Sequence, residues 1–139
     1  MGKILGIDYG RKRTGVALSD TEKKYAFMQE TISGQKEELF NRIKSYCDNE
    51  EIEKIIIGLP ITMGGEESDA CHEIRAFAKK LKSSLNIKIE FEDERLTSKM
   101  TASLFKEKQV KLSKQKTDQA AARIILQDYL DKINFKKNG

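Results

Sequence analysis

With 139 residues, 35% of them charged and 38% hydrophobic, the chain is long enough to bury a core and reads as one well-solvated domain. Its net charge of +4 and pI near 9.0 permit a polyanionic partner without demanding one. No apolar run approaches a membrane span, and Cys47 and Cys71 form no CxxC pair, so a cytoplasmic protein with reduced thiols and no membrane partner is expected.

In chain order, residues 3–8 (KILGID) and 15–19 (GVALS) predict two strands joined by a basic, glycine-flanked turn. A third strand is expected over 25–32. Leu39, Ile43, Tyr46 and Cys47 recur at helical spacing, which predicts a helix over 36–48. IEKIIIG (52–58) is a β-branched run of the kind buried on both faces of a parallel sheet. Pro60 ends that run, and TMGGEES (62–68) reads as a flexible loop. Ser68 or Asp69 then caps a helix with the apolar stripe Ile74, Phe77, Ala78, Leu81 and Leu85. Cys71 adjoins His72 but lacks a second ligand pair at metal-binding spacing, so a half-buried thiol and a surface imidazole are expected.

IKIEF (87–91) alternates as a fifth strand and leads into DERLTS (93–98). A short helix near 98–107, a lysine-rich segment over 106–116 and a final helix over 117–132 complete the order. Three strands on short turns, followed by helix–strand–helix–strand–helix, predict an α/β fold. Its core is a five-stranded mixed sheet, the first three strands antiparallel, with helices on both faces.

Three carboxylates stand out against this frame. Asp8 ends the first strand, where Asp is a poor strand former and costly at a core edge unless something pairs with it. Glu94 follows the fifth strand. Asp118 shares an apolar helix face with Ala121, Ala122, Ile125 and Tyr129, so it is expected to point toward the protein interior or its edge. Each has a plain structural explanation: a turn at Asp8, a pair with Arg95 for Glu94, helix-dipole favour for Asp118. Yet functional groups in open α/β sheets gather beyond the carboxyl ends of strands, where Asp8 and Glu94 both fall. Three converging carboxylates need a counter-charge, and oxygen-only ligands suit Mg²⁺ or Mn²⁺. Two such ions would clamp an in-line displacement at phosphorus.

The segments GIDYGRKRTGVALSD (6–20), GLPITMGG (58–65), DERLTS (93–98) and TDQAAARIILQDYLD (117–131) together resemble the YqgF (RuvX-like) family. That family is linked to Holliday junction resolution and to pre-16S rRNA processing, on an RNase H-like fold. The resemblance implies that Asp8, Glu94 and Asp118 are the catalytic, metal-binding carboxylates of one nuclease domain spanning residues 1–139.

Basic residues cluster near these acids. Arg11, Lys12 and Arg13 follow Asp8, Arg95 follows Glu94, and Lys114 and Lys116 precede Asp118. Lysine runs are commonly solvated loops, but positive charge beside carboxylates fits a groove that tracks a nucleic-acid backbone. The 58–68 loop is expected to line the same cleft. Aromatic residues are sparse in the basic segments, so stacking on bases is not expected.

Other function classes fit less well. An ATP-binding domain of the actin and sugar-kinase type needs two lobes, and this length supplies one. A non-catalytic nucleic-acid module has no need of three such carboxylates. A junction resolvase makes two symmetric cuts and calls for a dimer, for which no strongly apolar segment is left over. Of the two substrates the resemblance implies, the expectation is therefore the 5′ end of precursor 16S rRNA, matured by a nuclease working as a monomer or weak homodimer, with branched DNA as the alternative.

Overall fold

A computed structural model describes residues 2–60, 64–93 and 114–138. Five strands form one sheet: β1 (Lys3–Asp8), β2 (Arg13–Ser19), β3 (Ala26–Ser33), β4 (Ile52–Leu59) and β5 (Lys88–Asp93). Their spatial order is β3-β2-β1-β4-β5. The first three strands run antiparallel to one another, while β4 lies parallel to both β1 and β5. The predicted sheet is the one observed.

Strand alternation divides the core in two. Leu5, Ile7, Val16, Ile55 and Ile57 point to one face. There they meet Leu39 and Ile43 of α1 (Lys36–Asn49) and the stripe from Cys71 to Leu81 of α2 (Asp69–Leu85). Ile4, Ala17, Ala26 and Ile56 point to the other face, against Ala122, Ile125, Leu126 and Leu130 of α3 (Lys114–Asn138). With helices on both faces, Ile55, Ile56 and Ile57 are all fully buried, which is why β4 is an unbroken β-branched run. Helix α2 stops where Asn86 turns left-handed (φ 50°) and donates its N–H to the Lys82 carbonyl at 2.9 Å.

Several boundaries differ from expectation. Strand β2 begins at Arg13, because its pairing with β3 extends out to Arg13 and Ser33. Strand β5 runs on to Asp93, because Glu92 and Asp93 pair in register with Gly58 and Leu59. Helix α3 begins at Lys114 and continues to Asn138, so Lys114 and Lys116 belong to a helix and not to a loop. Lys and Gln are good helix formers, and no Gly or Pro interrupts residues 114–117. Cys71 is fully buried, its thiol donating to the Pro60 carbonyl at 3.5 Å, while His72 is exposed. The expected short helix near 98–107 lies outside the described residues. Among those described, no helix is long and apolar enough to cross a membrane.

Candidate active site at the end of the first strand

Asp8 is the last residue of β1 and pairs with Gly15 of β2. On the other side Ile7 pairs with Ile57, which brings Asp8 level with Gly58 of β4. Ile4 packs against α3, so alternation turns Gly6 and Asp8 to that same face. The carboxylate is thus flanked across the sheet by two residues without side chains. Glycine on both neighbours costs strand stability, and it commonly marks a place where a ligand or another backbone comes close.

The turn that follows is tight. A Cβ on Gly10 would stand 2.3 Å from the Arg13 carbonyl oxygen, so only glycine fits there. The buried Thr14 hydroxyl ties the turn by accepting the Gly10 N–H and donating to the Gly10 carbonyl, both at 3.4 Å. This geometry presents Arg11 and Lys12 to solvent. Arg13 is different: it opens β2 opposite Ser33 and is half-buried.

Helix α3 approaches β1 at Gly6. A Cβ there would lie 2.7 Å from Leu126 Cβ and 3.2 Å from the Ala122 carbonyl oxygen. Farther along α3, the Gln127 side chain accepts the Ala26 N–H at 2.9 Å, and Asn134 donates to the Lys23 carbonyl in the β2–β3 turn at 2.9 Å. The helix therefore runs away from the Asp8 end of the sheet as its numbering rises. Asp118 lies in its early turns, one turn before Ala122. Glu94 and Arg95 fall outside the described residues, and the side chains of Lys114, Lys116 and Asp118 are likewise not described. Of the three predicted carboxylates, Asp8 is the one that lies wholly among the described residues.

Two polar groups beside this end were not anticipated. Glu92, opposite Gly58 on the α3-facing side, is only 5% exposed and is paired with Lys132 of α3. Its parity with Glu90 along β5 was a readable signal once β5 was known to reach that far. Glu73 of α2 accepts a hydrogen bond from Arg11 Nε at 3.0 Å, a contact between residues far apart in the chain that no local pattern announces. That bond, more than the nearby positive charge, holds the Glu73 carboxyl below the usual carboxylate range. Burial pushes the Tyr9 hydroxyl above its ordinary value, with the Glu73 charge adding to the shift and Lys36 opposing it.

A mixed sheet in this order, with a carboxylate ending its first strand and helices on both faces, defines an RNase H-like fold. Comparison with known proteins agrees. The RuvX family, described as Holliday junction resolvase, matches residues 2–132. A protein of Sulfurihydrogenibium sp. (strain YO3AOP1) named "Putative pre-16S rRNA nuclease" is 39% identical over 97% of this chain and 94% of its own. A Bacteroides fragilis protein of the same name is 40% identical over 94% of this chain and 97% of its own. Among solved structures, Thermus thermophilus RuvC in complex with a Holliday junction substrate superposes with a TM-score of 0.62 at 12% identity, covering 96% of each chain. A fowlpox virus resolvase complexed with Holliday junction DNA gives 0.57 at 14% identity, covering 94% of this chain and 98% of its own. At such identities the structural likeness speaks for the fold alone. The chain belongs to the RuvX (YqgF) family.

Proposed function

We propose that the chain is a single-domain, divalent-metal-dependent nuclease that hydrolyses phosphodiester bonds of precursor 16S rRNA in the cytoplasm. The observation that carries this is Asp8, a carboxylate at the carboxyl end of β1 flanked by Gly15 and Gly58 on a face that α3 covers. Sequence supplies two more carboxylates, Glu94 directly after β5 and Asp118 in α3. The donor set is all oxygen and three-fold anionic, which fits Mg²⁺ or Mn²⁺ and not a thiolate- or imidazole-seeking metal. Bound there, such ions supply an activated water and charge stabilisation at the leaving oxygen.

The chain's own residues do the rest. Asp8, Glu94 and Asp118 would hold the ions. Arg11 and Lys12, presented by the turn after β1, meet the substrate backbone, and the sequence offers Arg13, Arg95, Lys114 and Lys116 as further contacts to it. The relatives' shared name favours precursor rRNA as substrate, and a monomer or weak homodimer suffices for it.

The test offers purified protein a precursor 16S rRNA 5′ segment and a four-way DNA junction, each with Mn²⁺. Cleavage of the rRNA segment is expected, with Asp8→Asn lowering the rate by more than the roughly 10- to 100-fold that groups merely orienting metal ligands are worth. Symmetric, Asp8-dependent nicking of the junction with the rRNA untouched would transfer the function to junction resolution. Full activity in Asp8→Asn would remove Asp8 from the site.

A further inference from the structure

Three donors converge on the Glu73 carboxylate. Arg11 Nε donates to one oxygen at 3.0 Å, the Tyr9 hydroxyl donates to the other at 3.4 Å, and the Lys36 ammonium stands 3.6 Å from that second oxygen. The donors come from the β1–β2 turn and from the first residue of α1, and the acceptor from α2. Two cations therefore face the Glu73 carboxylate, with the Asp69 charge acting more weakly on Arg11. Arg11 is 79% and Lys36 68% exposed, so the ion pairs are of the weak, solvent-screened kind that exchange readily.

Guanidinium, ammonium and hydroxyl donors around two oxygens also make a good cradle for a phosphodiester. The Tyr9 ring is fixed by packing on Phe77, with centroids 4.8 Å apart, so the hydroxyl is held in place independently of Glu73. A cavity of about 210 Å³ lined by Tyr9, Gly10, Arg11, Pro60 and Glu73 opens beside it, at the carboxyl ends of β1 and β4. Tyr9 directly follows Asp8 and lies on the opposite face of the sheet, so a strand crossing the end of β1 would pass both.

We propose that Arg11, Lys36 and the Tyr9 hydroxyl form a phosphate-binding subsite for the nucleic-acid strand, and that Glu73 occupies it in the free protein as an internal competitor. Binding exchanges the carboxylate for a backbone phosphate. The Glu73 carboxyl, held below the usual range by its Arg11 hydrogen bond, stays ionised and competing at neutral pH. The subsite deepens the nuclease proposal by naming backbone contacts on the α2 side of the cleft, and it rests on nucleic acid being the ligand.

The experiment measures anisotropy of a labelled single-stranded RNA, and of DNA of matching sequence, at low salt with metal chelated so that nothing is cut. Glu73→Gln is expected to bind about 2- to 5-fold tighter, the range set by an exposed ion pair. Arg11→Ala and Lys36→Gln should each bind more weakly, and Glu73→Gln should bring a smaller gain in the Arg11→Ala background, where Lys36 and Tyr9 remain. An equal gain on RNA and DNA supports phosphate recognition, and a gain confined to RNA would overturn it. Weaker or unchanged binding by Glu73→Gln would make Glu73 a strut for Arg11 and end the proposal. A gain undiminished by the loss of Arg11 is a general charge effect and ends it too. Cleavage by the wild-type protein with Mn²⁺, run in parallel, separates the two ideas. Cutting without the gain sinks only the subsite, and an Arg11-dependent gain without cutting sinks only the nuclease.

Discussion

The two faces of the sheet are built differently. Under α1 and α2 the strands present large aliphatics, Leu5, Ile7, Val16, Ile55 and Ile57, and two helices cover them. Under α3 the corresponding positions include Gly6, Ala17 and Ala26, and one long helix covers them with Ala122 at its closest approach. The first face gains stability from apolar area. On the second, small residues let a helix come close, and polar ties fasten it to β4 and β5: Lys54 and Glu90 through Tyr129, and Glu92 through Lys132. A helix meant only to cover hydrophobic surface has no need of such closeness. The proposed site supplies one, since α3 places Asp118 in its early turns toward the Asp8 end of the sheet.

The sharpest way to probe this contrast is to damage each face once. Ile55 is fully buried on the two-helix face, so Ile55→Ala should cost about 2–5 kcal/mol in urea unfolding, by lost burial plus cavity. Cleavage per folded molecule should stay within a few-fold of wild type. Gly6→Ala is the counterpart. The added Cβ would sit 2.7 Å from Leu126 Cβ, which is no flexible side-chain tip, so α3 must shift. Overpacking of this kind costs about 1–3 kcal/mol, less than the cavity on the other face. Its effect on cleavage should be larger, on the order of 100-fold, because small displacements of catalytic groups are that expensive. If Gly6→Ala cut as well as wild type, the closeness of α3 would have no catalytic purpose.

Much of this architecture is legible in the sequence, since the short apolar runs in KILGID and IIIG are dictated by burial on both faces of the sheet. Asp8 stands out as a candidate because an acid closing an apolar strand violates local preference, and such violations are expected at functional sites. Three things were hidden. The early start of α3 at Lys114 was masked because a lysine run looks like a solvated loop, although lysine is a good helix former. The extension of β5 through Glu92 depends on a pairing register with β4 and on Lys132, neither of which is local. Arg11 read as a free phosphate contact, and its engagement by Glu73 follows only from how α2 packs over the turn.

The smallest effect should come from the tie between α3 and the β4–β5 edge. The Tyr129 hydroxyl donates to Glu90 at 2.6 Å and accepts from Lys54 at 2.5 Å, while Lys54 itself stands 3.1 Å from Glu90. The Tyr129 hydrogen bond is the largest influence on Glu90 and, with Lys54, holds its carboxyl below the ordinary range against the opposing pull of burial. A carboxyl depressed in the folded state contributes stability that is present above its unfolded pKa, near 4.3, and is lost as pH falls toward the folded value. Tyr129→Phe removes the main source of that depression while keeping the ring and the Lys54–Glu90 pair. Near neutral pH it should cost under about 1 kcal/mol, because the partners are partly exposed. The deficit should narrow as pH drops below about 4, where the wild-type protein loses the same contribution by protonation. Urea unfolding of both proteins across that range measures it. A deficit constant with pH would mean that Tyr129 fastens α3 by packing alone, and that the polar ties contribute nothing to the difference between the two faces.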